Sequence, residues 1–336
     1  MIVLGIETSC DDTSFAFFSR DRGVIANLTA NQLIHDHYGG VVPEIASREH
    51  VRNLLPVFDA LLKRSGLTAS DIGGIGVTNG PGLVGSLLVG VGFAKSLGLA
   101  LNRPVVGVHH IEAHILSNEI EDSALKTPSI VLVVSGGHTS LYRVDRVGSY
   151  DRVGNTRDDA AGECFDKIAK LLNLGFPGGP AIQRVGAEGN PEAIRFPRAM
   201  MVPGDRDFSF SGLKTAVRVY VERQSSDPSP SLVADVAASA QEAIVDVLTE
   251  KTIACAVDSG AAHVYLAGGV AANGPLRERM ARVCEKNHIT YHAPLLEYCT
   301  DNGAMVACAA ERHLVAGRDD RTTLDVFARG VVTSWA

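Results

Sequence analysis

The stretch IVLGIETSCDDTSFAFF, residues 2–18, decides the fold when it is set beside IVLVVSGGHTSLYRV, residues 130–144. Each begins with a short apolar run, passes through a small polar loop and continues as a second apolar segment, which predicts a β-hairpin. Two other stretches, GIGVTNGPGLVGSLLVG at 74–90 and HVYLAGGVAANGPLRER at 263–279, each predict a strand, a glycine-rich turn and a helix. This order of elements occurs once in each half, so the sequence predicts a duplicated α/β domain.

Composition and charge set the broad class of the protein. With 336 residues, 46% hydrophobic and 21% charged, the chain is typical of a globular protein of about two domains. The formal net charge of −7 means that a nucleic-acid partner needs a local basic patch or a helper subunit. The six cysteines form no C-x-x-C pair, which favours a reducing, cytoplasmic setting. The apolar stretch 83–101 contains Lys95 and four glycines, so we expect a buried helix and no membrane partner.

The pattern of apolar runs also predicts the elements and the domains. Strands are predicted at 2–6, 74–78, 104–108, 130–134 and 263–267, and an amphipathic helix at 160–173. The predicted domains are 1–108, the partner-binding half, and 109–336. An insertion at about 175–230 in the second domain is dense in turn residues and is predicted to be irregular. The last helix is expected to pack back on the first domain.

The two polar hairpin loops are candidates for binding phosphate. Their candidate residues are Thr8, Ser9, Asp11 and Asp12 in the first loop, and Ser135, Gly136, Gly137 and Thr139 in the second. Tight turns of small residues offer backbone N–H groups to phosphate oxygens without a lysine-bearing P-loop. Such loops face each other across a nucleotide cleft in the actin, Hsp70 and sugar-kinase superfamily, which this order of elements resembles. An adenosine would then lie against the turn 267–273, and PGGP at 177–180 is either backbone beside a sugar or a helix stop.

The motif HHIEAH at 109–114 is a candidate metal site. On a helix, His110 and His114 share one face and can bind one ion. Zinc proteases of the H-E-x-x-H type place the general base directly after the first histidine. Glu112 lies roughly 200° around the helix from His110 and points away, which disfavours a protease. Asp301, in CTDNGAM at 299–305, is either a third ligand suited to zinc or ferrous iron, or the N-cap of a helix.

Ten segments together resemble the bacterial TsaD family of tRNA N6-adenosine threonylcarbamoyltransferases, from residue 2 to about residue 310. These segments are GIETSCDDT, HDHYGGVVPEIASREH, GPGLVGSLLVG, HHIEAH, VVSGGHT, DDAAGECFDK, FPGGP, DFSFSGLKT, AGGVAANGPLR and CTDNGAM. The resemblance implies two actin-like ATPase (ASKHA) domains with a nucleotide cleft between them. It also implies transfer of the threonylcarbamoyl group from threonylcarbamoyl-AMP to N6 of the adenosine 3′ of the anticodon, in tRNAs that read codons beginning with A.

The resemblance further implies a cofactor, a substrate site and partners. One divalent ion, Fe²⁺ or Zn²⁺, would be bound by His110, His114 and Asp301. An adenine nucleotide (threonylcarbamoyl-AMP, ATP, ADP or AMP) would contact Val133, Val134, Ser135, Gly136, Gly137, Asp166, Gly179 and Asn273. Besides tRNA, the implied partners are a TsaB-like paralogue that forms a heterodimer and a TsaE-like ATPase. Archaeal and eukaryotic relatives carry a tyrosine at the position of Val133, so here the metal should keep open positions.

Three hypotheses complete the prediction. Asp11 or Asp12 would aid proton removal from N6. The apolar run HYGGVVPEIA at 37–46 and the helix from Leu83 are candidate dimer surfaces. Candidate contacts with tRNA phosphates are Arg198, Arg206, Lys214 and Arg218. The alternatives to the transferase are a sugar kinase and a scaffold subunit. A sugar kinase would need an aspartate base beside a sugar pocket and would turn over ATP alone. A scaffold subunit would lack metal ligands, whereas this chain has three candidates.

Overall fold

A computed structural model describes residues 1–38, 40–121, 124–224 and 228–335. The strands are β1 (Val3–Glu7), β2 (Asp12–Ser19), β3 (Gly23–Asn31), β4 (Gly74–Gly80), β5 (Val105–His109), β6 (Ser129–Val134), β7 (Thr139–Arg146), β8 (Ser149–Asn155), β9 (His263–Ala267) and β10 (Thr290–His292). The α-helices are α1 (Pro43–Ser65), α2 (Val84–Leu101), α3 (His110–Leu116), α4 (Ala161–Leu171), α5 (Gly178–Gly186), α6 (Ser211–Glu222), α7 (Pro230–Ser259), α8 (Gly274–Lys286) and α9 (Gly303–Val315).

The chain forms two compact units. The first comprises Met1–Leu125 and Pro294–Val332, and the second comprises Lys126–Ala293 with the last residues of the chain. The second unit is therefore inserted, in chain order, between two segments of the first. The division of the chain at residue 108 into a partner-binding half and a remainder stays a prediction.

Each unit contains one five-stranded mixed sheet of the same topology. The first sheet has the order β3-β2-β1-β4-β5, and the second has the order β10-β9-β6-β7-β8. In both, three consecutive strands run antiparallel and the first of them pairs in parallel with a fourth strand, itself parallel to the fifth. This repeated topology confirms the duplicated α/β fold.

The predicted strands are found because their apolar side chains fill a core. In the first unit Leu4, Ile6, Phe15 and Phe17 are fully buried on the hairpin β1–β2. All five predicted strands agree with the observed bounds to within two residues. The strands β3, β8 and β10 were not predicted, because they mix buried with exposed side chains and lie at or next to a sheet edge.

Helix α9 packs closely on the first sheet because glycines allow the approach. A Cβ atom added at Gly5 of β1 would lie 2.1 Å from the carbonyl oxygen of Gly303, and one added at Gly76 of β4 would lie 2.1 Å from Cβ of Ala310. Such distances are far below van der Waals contact. The sheet therefore fixes the start of α9, and with it the position of Asp301.

Helix α2 is, among the described residues, the one helix long and apolar enough to cross a membrane by length and composition. Of its apolar window 33% is buried, and a single such helix is weak evidence for a membrane span. The buried face packs on β4 and α1, whereas Val84, Leu88 and Leu99 are exposed. The helix is thus only partly the buried core helix that the sequence predicts.

The segment 175–230 is less irregular than predicted. It contains α5 and α6, which bury Ile182 and Val217 respectively, and residues 187–210 between them lack helix and strand. Its residues 225–227 lie outside the described part of the chain. The turn-rich motifs mark helix starts here, since Gly178 to Pro180 occupy the first turn of α5.

Candidate functional site

The two histidines of HHIEAH lie on one face of α3, at the end of β5. His109 ends the strand, and its Nδ1 accepts a hydrogen bond of 3.2 Å from the backbone N–H of Ile111, which caps the helix. The rings of His110 and His114 then lie edge to face, with centroids 4.6 Å apart. Both are buried, so the segment places two imidazoles side by side within the first unit.

Asp301 lies beside both histidines. Its Oδ1 is 3.0 Å from Nε2 of His114 and 3.6 Å from Nε2 of His110. The N-cap of α9 is Asn302, whose side chain accepts from the backbone N–H of Met305 at 2.9 Å. The cap role considered for Asp301 therefore belongs to its neighbour, and the Asp301 carboxylate is available to the histidines.

The three side chains fit one divalent cation. Their ligand atoms all lie within 4.8 Å of one another. Ligands bound to zinc at about 2.1 Å in a tetrahedron are separated by about 3.0–3.5 Å, close to the distances observed here. Two imidazoles and one carboxylate are a donor set that suits zinc or ferrous iron. The chain therefore carries a candidate metal site at His110, His114 and Asp301.

Glu112 points away from this site. Its Oε2 lies 3.0 Å from Nε2 of His313 on α9, and both side chains are buried. The direction agrees with the helical geometry expected from the sequence. A protease base is thus absent from this position among the described residues.

A buried glutamate that the sequence analysis missed completes the surroundings of His110. Oε2 of Glu7 is 3.2 Å from Nδ1 of His110 and accepts a hydrogen bond of 2.6 Å from the Thr78 hydroxyl. Its Oε1 accepts from the backbone N–H of Ser9 at 2.5 Å. Burial raises the pKa of Glu7, but His110 outweighs it and the net shift is downward. The one sequence feature that points to Glu7 is its place directly after the apolar run 2–6, in a strand that is buried on both faces.

The electrostatics of this region favour a cation. Burial lowers the pKa of His110, but Asp301 and Glu7 together raise it to about 9. Burial, with Asp11 and Asp301 adding to it, raises the pKa of Asp12 to about 7. Neighbouring carboxylates contribute to both of these pKa shifts, and a bound cation would stabilise the ionised carboxylates.

The first hairpin loop contains buried side chains that contact other parts of the first unit and half-buried side chains near the surface. The Thr8 hydroxyl is fully buried and donates to the carbonyl of Ser86 at 3.0 Å, so it does not meet a phosphate in this arrangement. The Ser9 hydroxyl lies 3.3 Å from Nδ1 of His110. Asp11 and Asp12 are half-buried, and Oδ1 of Asp12 accepts from the Asn31 amide at 2.7 Å. Only the two aspartates therefore remain candidates for contact with a substrate.

The second hairpin loop, in the second unit, forms a tight turn with open space around its glycines. The backbone N–H of Ser135 donates to the His138 carbonyl at 2.8 Å, and the Ser135 hydroxyl accepts from the His138 N–H at 3.2 Å. A Cβ added at Gly136 or Gly137 would meet no described atom within 4 Å. A ligand can therefore approach the backbone of this turn. Val133 and Val134 are fully buried, so a ligand would meet only their backbone.

The other predicted substrate residues lie on neighbouring elements of the same unit. The first turn of α4 packs on it, because a Cβ at Gly162 would lie 2.5 Å from the Ser135 carbonyl oxygen. Farther along α4, Oδ1 of Asp166 accepts from the backbone N–H of Gly178 at 2.7 Å, so it caps α5. The neighbouring Gly179 has open space where a side chain would be, among the described residues.

Asn273 belongs to the same cluster, at the start of α8. Its Oδ1 accepts from the Leu276 N–H at 3.0 Å and its Nδ2 donates to Gln241 at 2.9 Å. The next backbone N–H, that of Gly274, donates to Gln183 of α5 at 2.9 Å. A ligand would meet the second N–H of Asn273 and the second lone pair of its oxygen. Contacts of the second hairpin turn with α4, of α4 with α5 and of α5 with the start of α8 thus connect the elements that carry the predicted substrate residues.

The four basic residues considered for tRNA phosphates all have acidic neighbours. The pairs are Arg198 with Asp246 at 2.7 Å, Arg206 with Asp258 at 3.7 Å, Lys214 with Asp159 at 3.6 Å and Arg218 with Glu222 at 3.8 Å. Each acid neutralises part of the local positive charge. These residues therefore form no concentrated basic patch of the kind that nucleic acid attracts.

Comparison with known proteins decides the family. Residues 23–308 match the family described as "TsaD: tRNA N6-adenosine threonylcarbamoyltransferase". The chain belongs to the TsaD family. The enzyme of that name from Herminiimonas arsenicoxydans is 47% identical over 320 residues, which cover 95% of this chain and 94% of the relative. The enzyme of that name from Clostridium botulinum (strain 657 / Type Ba4) is 47% identical over 327 residues, covering 97% and 96%.

A solved structure supports the fold of this TsaD-family chain independently. T. kodakarensis HypF aligns with a TM-score of 0.64 at 15% identity, covering 96% of this chain and 49% of HypF. At that identity the likeness shows the fold alone. The two mixed sheets and this likeness confirm an α/β protein with the actin-like ATPase (ASKHA) fold. As a TsaD-family member, the chain is a tRNA N6-adenosine threonylcarbamoyltransferase with tRNA as substrate.

Proposed function

We propose that this transferase takes its threonylcarbamoyl group from threonylcarbamoyl-AMP and delivers it to the adenosine 3′ of the anticodon in tRNAs that read codons beginning with A. A bond forms between N6 and the carbamoyl carbon, the bond from that carbon to the phosphate oxygen breaks, and N6 loses one proton. AMP is the leaving group. The observation that carries the proposal is the meeting of His110, His114 and Asp301 in a chain of this family.

The metal would be one Fe²⁺ or Zn²⁺ ion held by those three side chains. When bound, the ion would act as a Lewis acid that stabilises negative charge developing on the donor. The protein itself supplies two imidazoles and a carboxylate, which leaves a position of a four-coordinate ion open for the donor. The nearby carboxylates of Glu7 and Asp12 strengthen the attraction for a divalent cation.

The substrate loop would hold the adenylate. The open backbone at Gly136 and Gly137 presents N–H groups that suit phosphate oxygens, as a tight turn of small residues does generally. Gly179, at the start of α5, leaves room for a ribose against the backbone. Asn273 would orient the base through its remaining donor and acceptor.

Asp12 is the better candidate for proton removal from N6. Its raised pKa, about 7, lets it be ionised at neutral pH while remaining basic enough to accept a proton. Asp11, beside it in the loop, adds negative charge that keeps the pKa high. Asp12 would therefore accept the proton in the transfer step, and Asp11 would tune its basicity.

Two exposed apolar faces of the first unit support docking of a TsaB-like paralogue. Val51 and Leu55 on α1 are 64% and 67% exposed, and Leu88 on α2 is 52% exposed. The two helices pack on each other. Within the predicted surface at 37–46, Gly39 lies outside the described residues. This apolar surface would receive the paralogue, while a TsaE-like ATPase completes the assembly in the cytoplasm.

The partner surface can be tested without the reaction. Leu55→Glu combined with Leu88→Glu should abolish the complex with the TsaB-like paralogue in size-exclusion chromatography, while Val257→Glu, at a residue 55% exposed on α7, should not. An unaffected complex with the double variant would show that the paralogue binds elsewhere.

The reaction is tested by transfer of labelled threonine into tRNA from pre-formed threonylcarbamoyl-AMP, with and without the two partner proteins. We expect label with the wild type and none with His110→Ala plus His114→Ala. The matched control is His263→Ala plus His292→Ala, which removes another close histidine pair, 3.2 Å apart on β9 and β10.

The outcomes separate the parts of the proposal. Label with wild type and control but not with the α3 variant supports transfer and the metal site together. Label with all three would show that the α3 histidines are dispensable. No label with the wild type in the presence of both partners would overturn the proposed reaction.

A further inference from the structure

We infer that Glu7 is a positioning residue that orients His110 for the metal. The inference rests on the metal site put forward above and concerns a residue outside the ligand set. Glu7 closes β1 and is buried, and its Oε2 faces Nδ1 of His110 at 3.2 Å. Histidines that bind metals generally donate their other ring N–H to a carboxylate or carbonyl, which fixes the tautomer.

The hydrogen bonds of Glu7 define which atom donates. The Thr78 hydroxyl donates to Oε2 and the Ser9 N–H donates to Oε1, so both carboxylate oxygens act as acceptors. An ionised carboxylate has no proton to give, so Nδ1 of His110 must carry the proton in this pair. A ring that keeps its proton on Nδ1 can offer the lone pair of Nε2 to a metal, and this Nε2 lies 3.6 Å from Oδ1 of Asp301.

The second histidine has no equivalent support. Nδ1 of His114 is buried and makes no hydrogen bond with any described residue. His114 therefore depends on helix α3 and on Asp301, 3.0 Å away, for its orientation. Glu7 is therefore the one carboxylate, in the described part of the chain, that holds the ring nitrogen of a ligand histidine on the side away from the metal. That nitrogen is Nδ1 of His110.

Glu112 supplies a matched control. It is as deeply buried as Glu7, lies on the same helix as the two ligands and also contacts a histidine ring, at 3.0 Å. That ring belongs to His313, away from the candidate centre. Exchanging either glutamate for glutamine changes one buried carboxyl group at nearly constant volume, but Glu7 contacts the ligand His110, whereas Glu112 contacts His313.

The test is zinc affinity, measured by chelator competition on the full chain for wild type, Glu7→Gln and Glu112→Gln. We expect Glu7→Gln to weaken zinc binding by about 10- to 100-fold, the range found when such supporting partners are removed, and Glu112→Gln to leave it within about twofold. Equal affinities for wild type and Glu7→Gln, or equal losses in both variants, would overturn the role of Glu7. Failure of the wild type to bind zinc would overturn the metal site and this role with it.

A spectroscopic measurement covers the case in which Glu7→Gln does not fold. In zinc-loaded wild type labelled with ¹⁵N-histidine, and assigned through His110→Asn, the His110 ring should carry its proton on Nδ1. That proton should exchange slowly with water, because it is held by a buried carboxylate. A ring protonated on Nε2, or an Nδ1 proton in rapid exchange, would contradict the proposal in the wild-type protein alone.

Discussion

Gly5→Ala should damage the metal site from a distance, through helix α9. The added Cβ would lie 2.1 Å from the Gly303 carbonyl oxygen and 2.4 Å from the Ala307 backbone nitrogen, so α9 must move by about 1 Å to reach ordinary contact. Overpacking of this kind costs about 1–3 kcal/mol, which lowers Tm by about 2–12 °C. Asp301 directly precedes α9, and metal ligands tolerate displacements of only about 0.2 Å, so zinc affinity should fall at least about tenfold.

Differential scanning calorimetry and chelator competition measure the two effects on one sample. Gly92→Ala is the control, because Gly92 lies inside α2 with no described atom within 4 Å of the added Cβ. It should raise stability by about 0.5–1 kcal/mol and leave zinc affinity unchanged. A Gly5→Ala protein with wild-type zinc affinity would refute the reasoning that the sheet sets the position of Asp301.

Three other predictions concern single contacts. The transfer rate should rise with pH as Asp12 becomes ionised, with a midpoint below about 7 because a bound cation lowers the pKa of Asp12, and Asp12→Asn should abolish that rise in a pH–rate profile. In metal-free protein the pKa of Asp12 is raised to about 7, so ionisation of Asp12 lowers stability as the pH rises from about 4 through 7. Asp12→Asn should therefore stabilise the metal-free protein at pH 8 but not at pH 4 in thermal melts. Asn302→Ala should cost about 1 kcal/mol in urea unfolding by loss of the α9 cap, whereas Asp301→Ala should lose zinc binding and keep the cap. Gly268→Ala should lower stability by about 1–3 kcal/mol in urea unfolding, because Gly268 has φ 89° and the new Cβ would lie 2.5 Å from the Val134 carbonyl oxygen. A urea midpoint equal to that of the wild type would contradict this prediction of backbone strain.

The fold could be predicted where buried strands produce a clear run of apolar residues in the sequence. The strands β1 and β6 are buried along their whole length and contain apolar runs, and each is followed by a second apolar segment after a short loop, so both hairpins follow from the sequence. The strand β8 reads SYDRVGN and exposes several polar side chains, which removes the signal of a strand. The pairing of β1 with β4 depends on contacts between distant residues, so local pattern does not encode it.

Some residues of the candidate site could likewise be predicted from the sequence, and others could not. The spacing of His110 and His114 is a local property of one helix turn, so the sequence was sufficient to pair them. Choosing between Asp301 and Asn302 for the cap required the structure, because both residue types are good caps and they are adjacent. Glu7 was missed because its partner is 103 residues away along the chain.

The route of the chain also sets an order of assembly on the ribosome. Asp301 follows His114 by 187 residues, and the segment Lys126–Ala293 of the second unit is synthesised between them. At about 5–20 residues per second, the nascent first unit spends about 10–40 s with its two histidines made and its third ligand still unmade. During that interval its sheet also lacks the covering helix α9. The metal site of this protein is therefore completed late in biosynthesis. Its three ligands are present together only after residues 126–293 have been synthesised.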